Sequence, residues 1–339
     1  MNLVRALICI LLAGVACAHG RLELAWPTPN TAYLDGKPIA EYIQPTVSGD
    51  PGSGLFGCVR SNGYQFHEGL DLKPVCARDH GEVTDEIYAT MDGVVRHIAR
   101  KAGQSSYGRY LVLEHPGATP ACYSLYAHLS EVRAGLKEGD AVKRGDVIAI
   151  MGRTAGGYAI PKDRSHLHFE LGLMATRDFQ SWYNRQKFGS PNLHDNWNGM
   201  NLMGFDPRDF FDRFEAKRVD DVGGYLEQLP VAVKVRVSVS RTPDYAVRYP
   251  SLVKGALPPG SLIAGWEIDC YWTGMPLALR PLSAVELIGQ RPGTVRIVEV
   301  NHEEVVSHRA ISLLRGRGTA PAPGKDLVDV VEKLFGPLR

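Results

Sequence analysis

The sequence predicts a mainly β fold of antiparallel sheets. Three observations lead there. Between Phe66 and about Leu173, short apolar runs are punctuated by glycine. From Val231 to Val239, valine stands at every second position. The 339 residues include 36 Gly and 22 Pro, a content suited to strands and loops rather than to helices. Composition also excludes function classes. Lys+Arg 38 against Asp+Glu 37 leaves a formal charge of +1, so no basic field is available to hold nucleic acid or an anionic membrane. A hydrophobic content of 44% argues against a disordered chain.

Residues 1–18 read as a signal peptide: a positive start at Arg5, an apolar run from Ala6 to Val15, then Ala16-Cys17-Ala18 as the cleavage site. The run is too short to span a bilayer, so the chain is expected to be exported, to a periplasmic or extracellular location, without a transmembrane segment. Anchoring by a lipid on Cys17 is the weaker reading, because Gly14 stands where a large aliphatic residue is wanted. Residues 19–65 form an irregular, Gly- and Pro-rich lead-in.

A first β domain follows over 66–205. Ile87–Thr90, Gly93–Val95, Tyr110–Leu113, Tyr123–Tyr126 and Val147–Ile150 read as strands, with Lys-Glu-Gly-Asp and Lys-Arg-Gly-Asp turns at 137–140 and 143–146. Phe179 to Met203 shows no periodicity and is expected to be mostly surface loop. A smaller β-rich domain of unknown role occupies 206–339. It opens with a helix start, Asp206 capping and Pro207 in the first turn. Strands at Val231–Val239 and Val295–Val300, a linker at Pro321–Pro323 and a closing amphipathic helix from Leu327 to Phe335 complete it. No internal repeat is present.

After cleavage four cysteines remain: Cys58, Cys76, Cys122 and Cys270. Export admits a disulfide, best placed between two of the first three; free thiols buried in a domain with its own core are the alternative. No CxxC pair supports a cysteine-ligated zinc or a thioredoxin-type motif.

Three motifs carry chemistry. His67-Glu68-Gly69-Leu70-Asp71 sets a histidine and an aspartate four apart, and Gly69 with its strand-like neighbours points to a turn that brings both side chains together. Tyr126-Ala127-His128-Leu129 ends a strand on a histidine. Ser165-His166-Leu167-His168-Phe169-Glu170 sets two histidines on one strand face. Imidazoles plus one carboxylate suit Zn²⁺, and three protein ligands leave a position for water, the catalytic pattern. Two histidines are then left over to move protons. No GxSxG elbow, P-loop or dinucleotide fingerprint is present.

In this order, the three motifs resemble the zinc endopeptidases of the M23 (lysostaphin/LytM-like) family. The glycines and strands between them match as well, over about Phe66 to Leu173. The resemblance implies an antiparallel LytM/M23-type catalytic domain over 66–205 holding one Zn²⁺ on His67, Asp71 and His168. It implies His128 and His166 as the non-ligating catalytic pair around an attacking water, without deciding which is base and which stabilises the oxyanion. The implied substrates are peptide cross-links of bacterial peptidoglycan. Two rivals stand beside this: a catalytically silent LytM-like protein that binds cell wall and activates an amidase, and a zinc endopeptidase acting on an extracellular protein. The loop Gly156–Arg164 is longer than the family pattern and is expected to line the groove. Glu170 is expected to support the ligand strand, and Tyr64 to pack in the core. His80, His97, His115, His194, His302 and His308 fit no ligand spacing. Trp266, Tyr271 and Trp272 are read as core aromatics.

Overall fold

A computed structural model describes residues 20–76, 81–316 and 321–338. The signal-peptide reading, Cys17 and His80 lie outside the described residues. No helix among them is long and apolar enough to cross a membrane.

The lead-in ends in a hairpin of β1 (Gly57–Arg60) and β2 (Gln65–His67). Next come β3 (Leu70–Leu72), β4 (Glu86–Tyr88), β5 (Gly93–Ala99), β6 (Tyr110–His115) and β7 (Cys122–Ala127). Then follow β8 (Glu131–Val132), β9 (Ala141–Val142), β10 (Val147–Ile150), β11 (Leu167–Met174) and β12 (Leu202–Phe205). The expected strands are thus all present, paired antiparallel. The central sheet runs β12-β11-β7-β6-β5-β9, with β3 also pairing along β11; β4, β10 and β8 make a smaller sheet.

Every residue of β7 and β11 is buried, so the central sheet must be covered on both faces. Leu111, Leu113, Tyr126, Phe169 and Leu171 pack into the main core, which includes Trp26, Tyr42 and Ile43 of the lead-in. On the other face Tyr110, Val112, Tyr123 and Leu125 form a second cluster against Trp197 and Leu202. The stretch 179–203 is therefore surface loop only in part, mainly over 187–200. It contains α1 (Phe179–Gln186), which buries Phe179, Trp182 and Tyr183. Fully buried Asn201 ties it down, donating to the carbonyls of Thr176 and Asn196, both at 2.8 Å. Eight helical residues span barely two turns, too few for a 3.6-residue period to show in sequence.

Helix α2 (Pro207–Glu215) starts as expected: the Asp206 carboxylate accepts from the Arg208 and Asp209 amides, and Pro207 opens the first turn. Beyond α3 (Val222–Leu226) lies β13 (Val233–Val237), burying Val233, Val235 and Val237 while Lys234 and Arg236 stay only partly covered. With α4 (Asp244–Arg248) between them in sequence, β13 joins β14 (Gly265–Cys270), β15 (Pro276–Leu282) and β16 (Val295–Val300) in a sheet of order β15-β14-β13-β16. The chain ends through α5 (His302–Ser307), β17 (Leu314–Arg315), β18 (Ala322–Pro323) and α6 (Lys325–Phe335). The expected linker at Pro321–Pro323 instead supplies β18, which pairs with β17. Proline is admitted there because only two residues pair. Helix α6 buries Leu327, Val330, Val331, Leu334 and Phe335.

Cys58, Cys76, Cys122 and Cys270 are all free thiols, the second of the two readings left open by the sequence. Cys122 and Cys270 are buried on strands, where they pack as small apolar side chains. Trp266, Tyr271 and Trp272 are core residues as read. Tyr64 is not: it is 67% exposed, just before β2 at the hairpin turn.

Candidate metal centre

Pairing register builds the site. In the β3–β11 ladder His168 lies directly opposite Asp71, and directly opposed side chains project from the same face. The step from β2 to β3 brings His67 alongside. That step hugs β11 so closely that a Cβ on Gly69 would sit 2.2 Å from the Phe169 carbonyl oxygen, which is why glycine stands between the two candidate ligands. The result is a buried trio, His67, Asp71 and His168, able to hold a metal ion. His128 and His166 line the same cavity of ≈ 420 Å³, so all five sequence-selected residues meet there.

The facing atoms are fixed by what each ring does with its other nitrogen. His67 Nδ1 lies 2.8 Å from the Leu55 carbonyl, which only accepts; Nδ1 therefore carries the proton and Nε2 faces inward as a lone pair. Likewise His128 Nδ1–H donates to the Thr154 carbonyl (2.8 Å) and His166 Nδ1–H to the Arg164 carbonyl (2.7 Å). His168 is turned the other way: its Nε2–H donates to Glu170 Oε1 at 3.0 Å and Nδ1 faces the site. Glu170 is buried and also accepts from Tyr107 Oη (2.6 Å) and Tyr123 Oη (3.0 Å). It thus anchors the ligand strand as the sequence reading held.

His67 Nε2, His168 Nδ1 and Asp71 Oδ1 lie 3.0, 3.0 and 3.2 Å apart. Zinc bonds of ~2.0–2.1 Å at tetrahedral angles put ligand atoms about 3.3 Å apart, so the trio fits the ion. The chemistry agrees. Two imidazole lone pairs and a carboxylate oxygen at this spacing can share one cation. The electrostatics are those of a site that favours positive charge. Burial opposes a charged Asp71, but the His67 and His166 rings beside it and its close contacts with His168 and His67 hold its carboxyl well below the usual range. Burial likewise opposes a charged His168, yet its bonds to Asp71 and Glu170 push it up to about 10. Burial lowers His128 and His166, reinforced at His128 by the charges of His166 and His168, so both rings favour the neutral form.

Two contacts complete the frame. Arg60 donates to Asp71 Oδ2 at 2.5 Å, leaving Oδ1 for the histidines. His128 follows β7 at φ 61°, a left-handed conformation that costs a non-glycine residue roughly 1–2 kcal/mol. It is held by its amide on the Tyr107 carbonyl (2.9 Å) and its ring on Thr154. Sequence reasoning missed Arg60, Thr154 and Tyr107. Arg60 lies 11 residues from Asp71 within the irregular lead-in, without a spacing signal. Tyr107 and Thr154 lie outside the three motifs, so no spacing tied them to His128. Gly108, at φ 65°, lies where a Cβ would be 2.2 Å from the Thr154 carbonyl oxygen, so the two loops meet under His128. The longer loop does line the cavity, through Tyr158, Ile160, Pro161 and Arg164. His115, His97 and His194 bond elsewhere, as expected of structural residues. His308 stacks on Trp272 at 3.9 Å.

Residues 65–178 match the family model of Peptidase family M23. No curated protein matches the chain. Similar solved structures include a zinc containing peptidase from Vibrio cholerae, 27% identical over 45% of this chain and 37% of that one, TM-score 0.31. Lysostaphin's catalytic domain from Staphylococcus simulans is 19% identical over 51% and 95%, TM-score 0.30. That of the prophage-encoded M23 protein EnpA from Enterococcus faecalis is 20% identical over 39% and 81%, TM-score 0.28. The chain thus spans little more than a third of the length of the Vibrio cholerae peptidase. Residues 65–178 of the 339-residue chain are thus the part that is similar to Peptidase family M23.

Proposed function

We propose that this chain is an exported, zinc-dependent endopeptidase that hydrolyses peptide cross-links of bacterial peptidoglycan. One observation carries the reading. Within an M23-family segment, three donor atoms stand at zinc spacing while two further imidazoles line the same cavity. His67, Asp71 and His168 would hold the ion. Zinc supplies Lewis acidity, acidifying water at neutral pH and polarising a peptide carbonyl.

The remaining work falls to the protein. His128 and His166, ring centroids 4.8 Å apart, keep their Nδ1 protons on backbone carbonyls and leave Nε2 unprotonated and able to accept one, that of His166 lying 3.4 Å from Asp71 Oδ1. A neutral Nε2 takes a proton from water and, once charged, stabilises a developing oxyanion or protonates the leaving amine. Fixed rings lower the reorganisation needed, because neither can rotate without losing its carbonyl partner. Glu170 and Arg60 hold His168 and Asp71 from behind. A complete set of five chemical positions favours the enzyme over the silent wall-binding alternative.

The test is digestion of purified cross-linked peptidoglycan by the full chain, with and without chelator, read by mass spectrometry. Chelator-sensitive loss of cross-linked dimers is expected, and the fragment masses name the bond. Intact wall with zinc bound redirects the reading to another substrate. Intact wall with no zinc bound supports the binding-and-activation alternative.

A further inference from the structure

The metal cavity does not end at the histidines. A second cavity of ≈ 590 Å³ meets it at Glu68, Ser106 and Tyr107, which line both. Its outer wall comes from Tyr183, Leu193 and Met200, beyond the stretch that matches the family. Charge along this trough is uneven. The Glu68 side chain is exposed and forms no hydrogen bond or ion pair with any described residue. On the first cavity alone, the Arg164 guanidinium is also without an ion pair among the described residues. By contrast Arg60, the other guanidinium there, is engaged by Asp71. Two opposite charges therefore face the trough without neutralising each other, the anion at the junction and the cation on the metal side.

We propose that Glu68 is a specificity subsite for an ammonium group borne by the substrate peptide where it passes from the metal cavity into the second one. Resting on the peptidase reading above, this names what the cleft selects: a peptide with a side-chain or terminal amine on that side and a carboxylate within reach of Arg164. Lysine-type ammonium is a compact point charge that needs only a carboxylate and room for its water, both of which a half-open junction supplies. Exposed charge pairs contribute modestly to affinity and more to discrimination, so the expected effect is about fivefold.

The experiment compares one cross-linked peptide dimer carrying a single free lysine ammonium with the same dimer acetylated there. Binding is measured by calorimetry to the full chain in chelator, so that nothing is cut. Acetylation should weaken binding about fivefold at low salt, and the difference should shrink at high salt. Glu68→Gln should bind both dimers alike, and Glu68→Lys should prefer the acetylated one. Equal binding of the two dimers by the unaltered protein, or discrimination retained in Glu68→Gln, would overturn the subsite. Zinc is then restored and cleavage is read separately. Dimers bound with this preference but left uncut refute the peptidase reading while supporting the subsite.

Discussion

Removing the negative charge behind His168 tests how far the site depends on its support. Glu170 is 1% exposed and accepts three hydrogen bonds, from Tyr107, Tyr123 and His168. In Glu170→Gln the amide oxygen can still accept from His168 Nε2–H, and its NH₂ can point at a tyrosine hydroxyl that turns to accept. Shape and most bonds survive, but the charge that makes His168 Nδ1 a stronger donor is lost. Loss of such a partner costs roughly 10–100-fold in metal affinity, and the near-isosteric change belongs at the lower end, about 1.4 kcal/mol. Glu170→Ala also leaves the buried Tyr123 hydroxyl unpaired, at roughly 1–3 kcal/mol, and removes the partner of half-buried Tyr107, and belongs at the upper end with a clear loss of fold stability. Chelator-competition titration gives the zinc constants, and urea unfolding of the same samples separates affinity from stability. Zinc bound by Glu170→Gln within twofold of the unaltered protein would refute the reasoning, and so would an alanine variant that binds better than the glutamine one.

Two further predictions separate roles. His67→Ala and Asp71→Ala should lose zinc and hydrolysis together, whereas His128→Ala should keep zinc and lose most turnover, as read by metal analysis beside wall digestion; full activity in His128→Ala would remove that ring from the chemistry. Buried His115 gives a pH prediction. Its Nδ1–H donates to the Asp92 carbonyl at 2.9 Å, its Nε2 lies 2.7 Å from Ser124 Oγ, and burial lowers its pKa to about 4. The unfolded chain takes up this proton near pH ~6.5 and the folded one only near pH 4. Stability from neutral His115 is therefore complete above ~6.5, declines through that window, and is gone below it, about 3 kcal/mol in all. Between pH 7 and 5 the unaltered protein should lose about 2 kcal/mol more than His115→Gln in urea unfolding; equal slopes would contradict the assignment.

What could be read from sequence was local. Strands such as β6, β7 and β13 announce themselves by apolar runs or alternation, and the cap at Asp206 by its proline neighbour. Each candidate site residue lies in a short motif of its own, so residue type and spacing could select His67, Asp71, His128, His166 and His168. Within 179–203 the helix α1 was not legible because it is too short to show its period, and the packing of Trp197 and Leu202 because its need arises elsewhere, in the second apolar face of the central sheet.

By itself, then, the sequence singled out five candidate side chains for the site and the strands whose apolar pattern is strongest, among them β6, β7 and β13. Tertiary structure decided how those side chains are presented. The inward nitrogen of His67 is chosen by a carbonyl 12 residues away, that of His128 by one 26 away, and Asp71 faces His168 across 97 residues through ladder register. A hydrogen bond forms wherever two groups meet, and loop closure sets no spacing that a linear pattern could reveal. Arg60 on Asp71, the carbonyl under His128 and the unpaired Glu68 between two cavities exist only because distant backbone segments converge there.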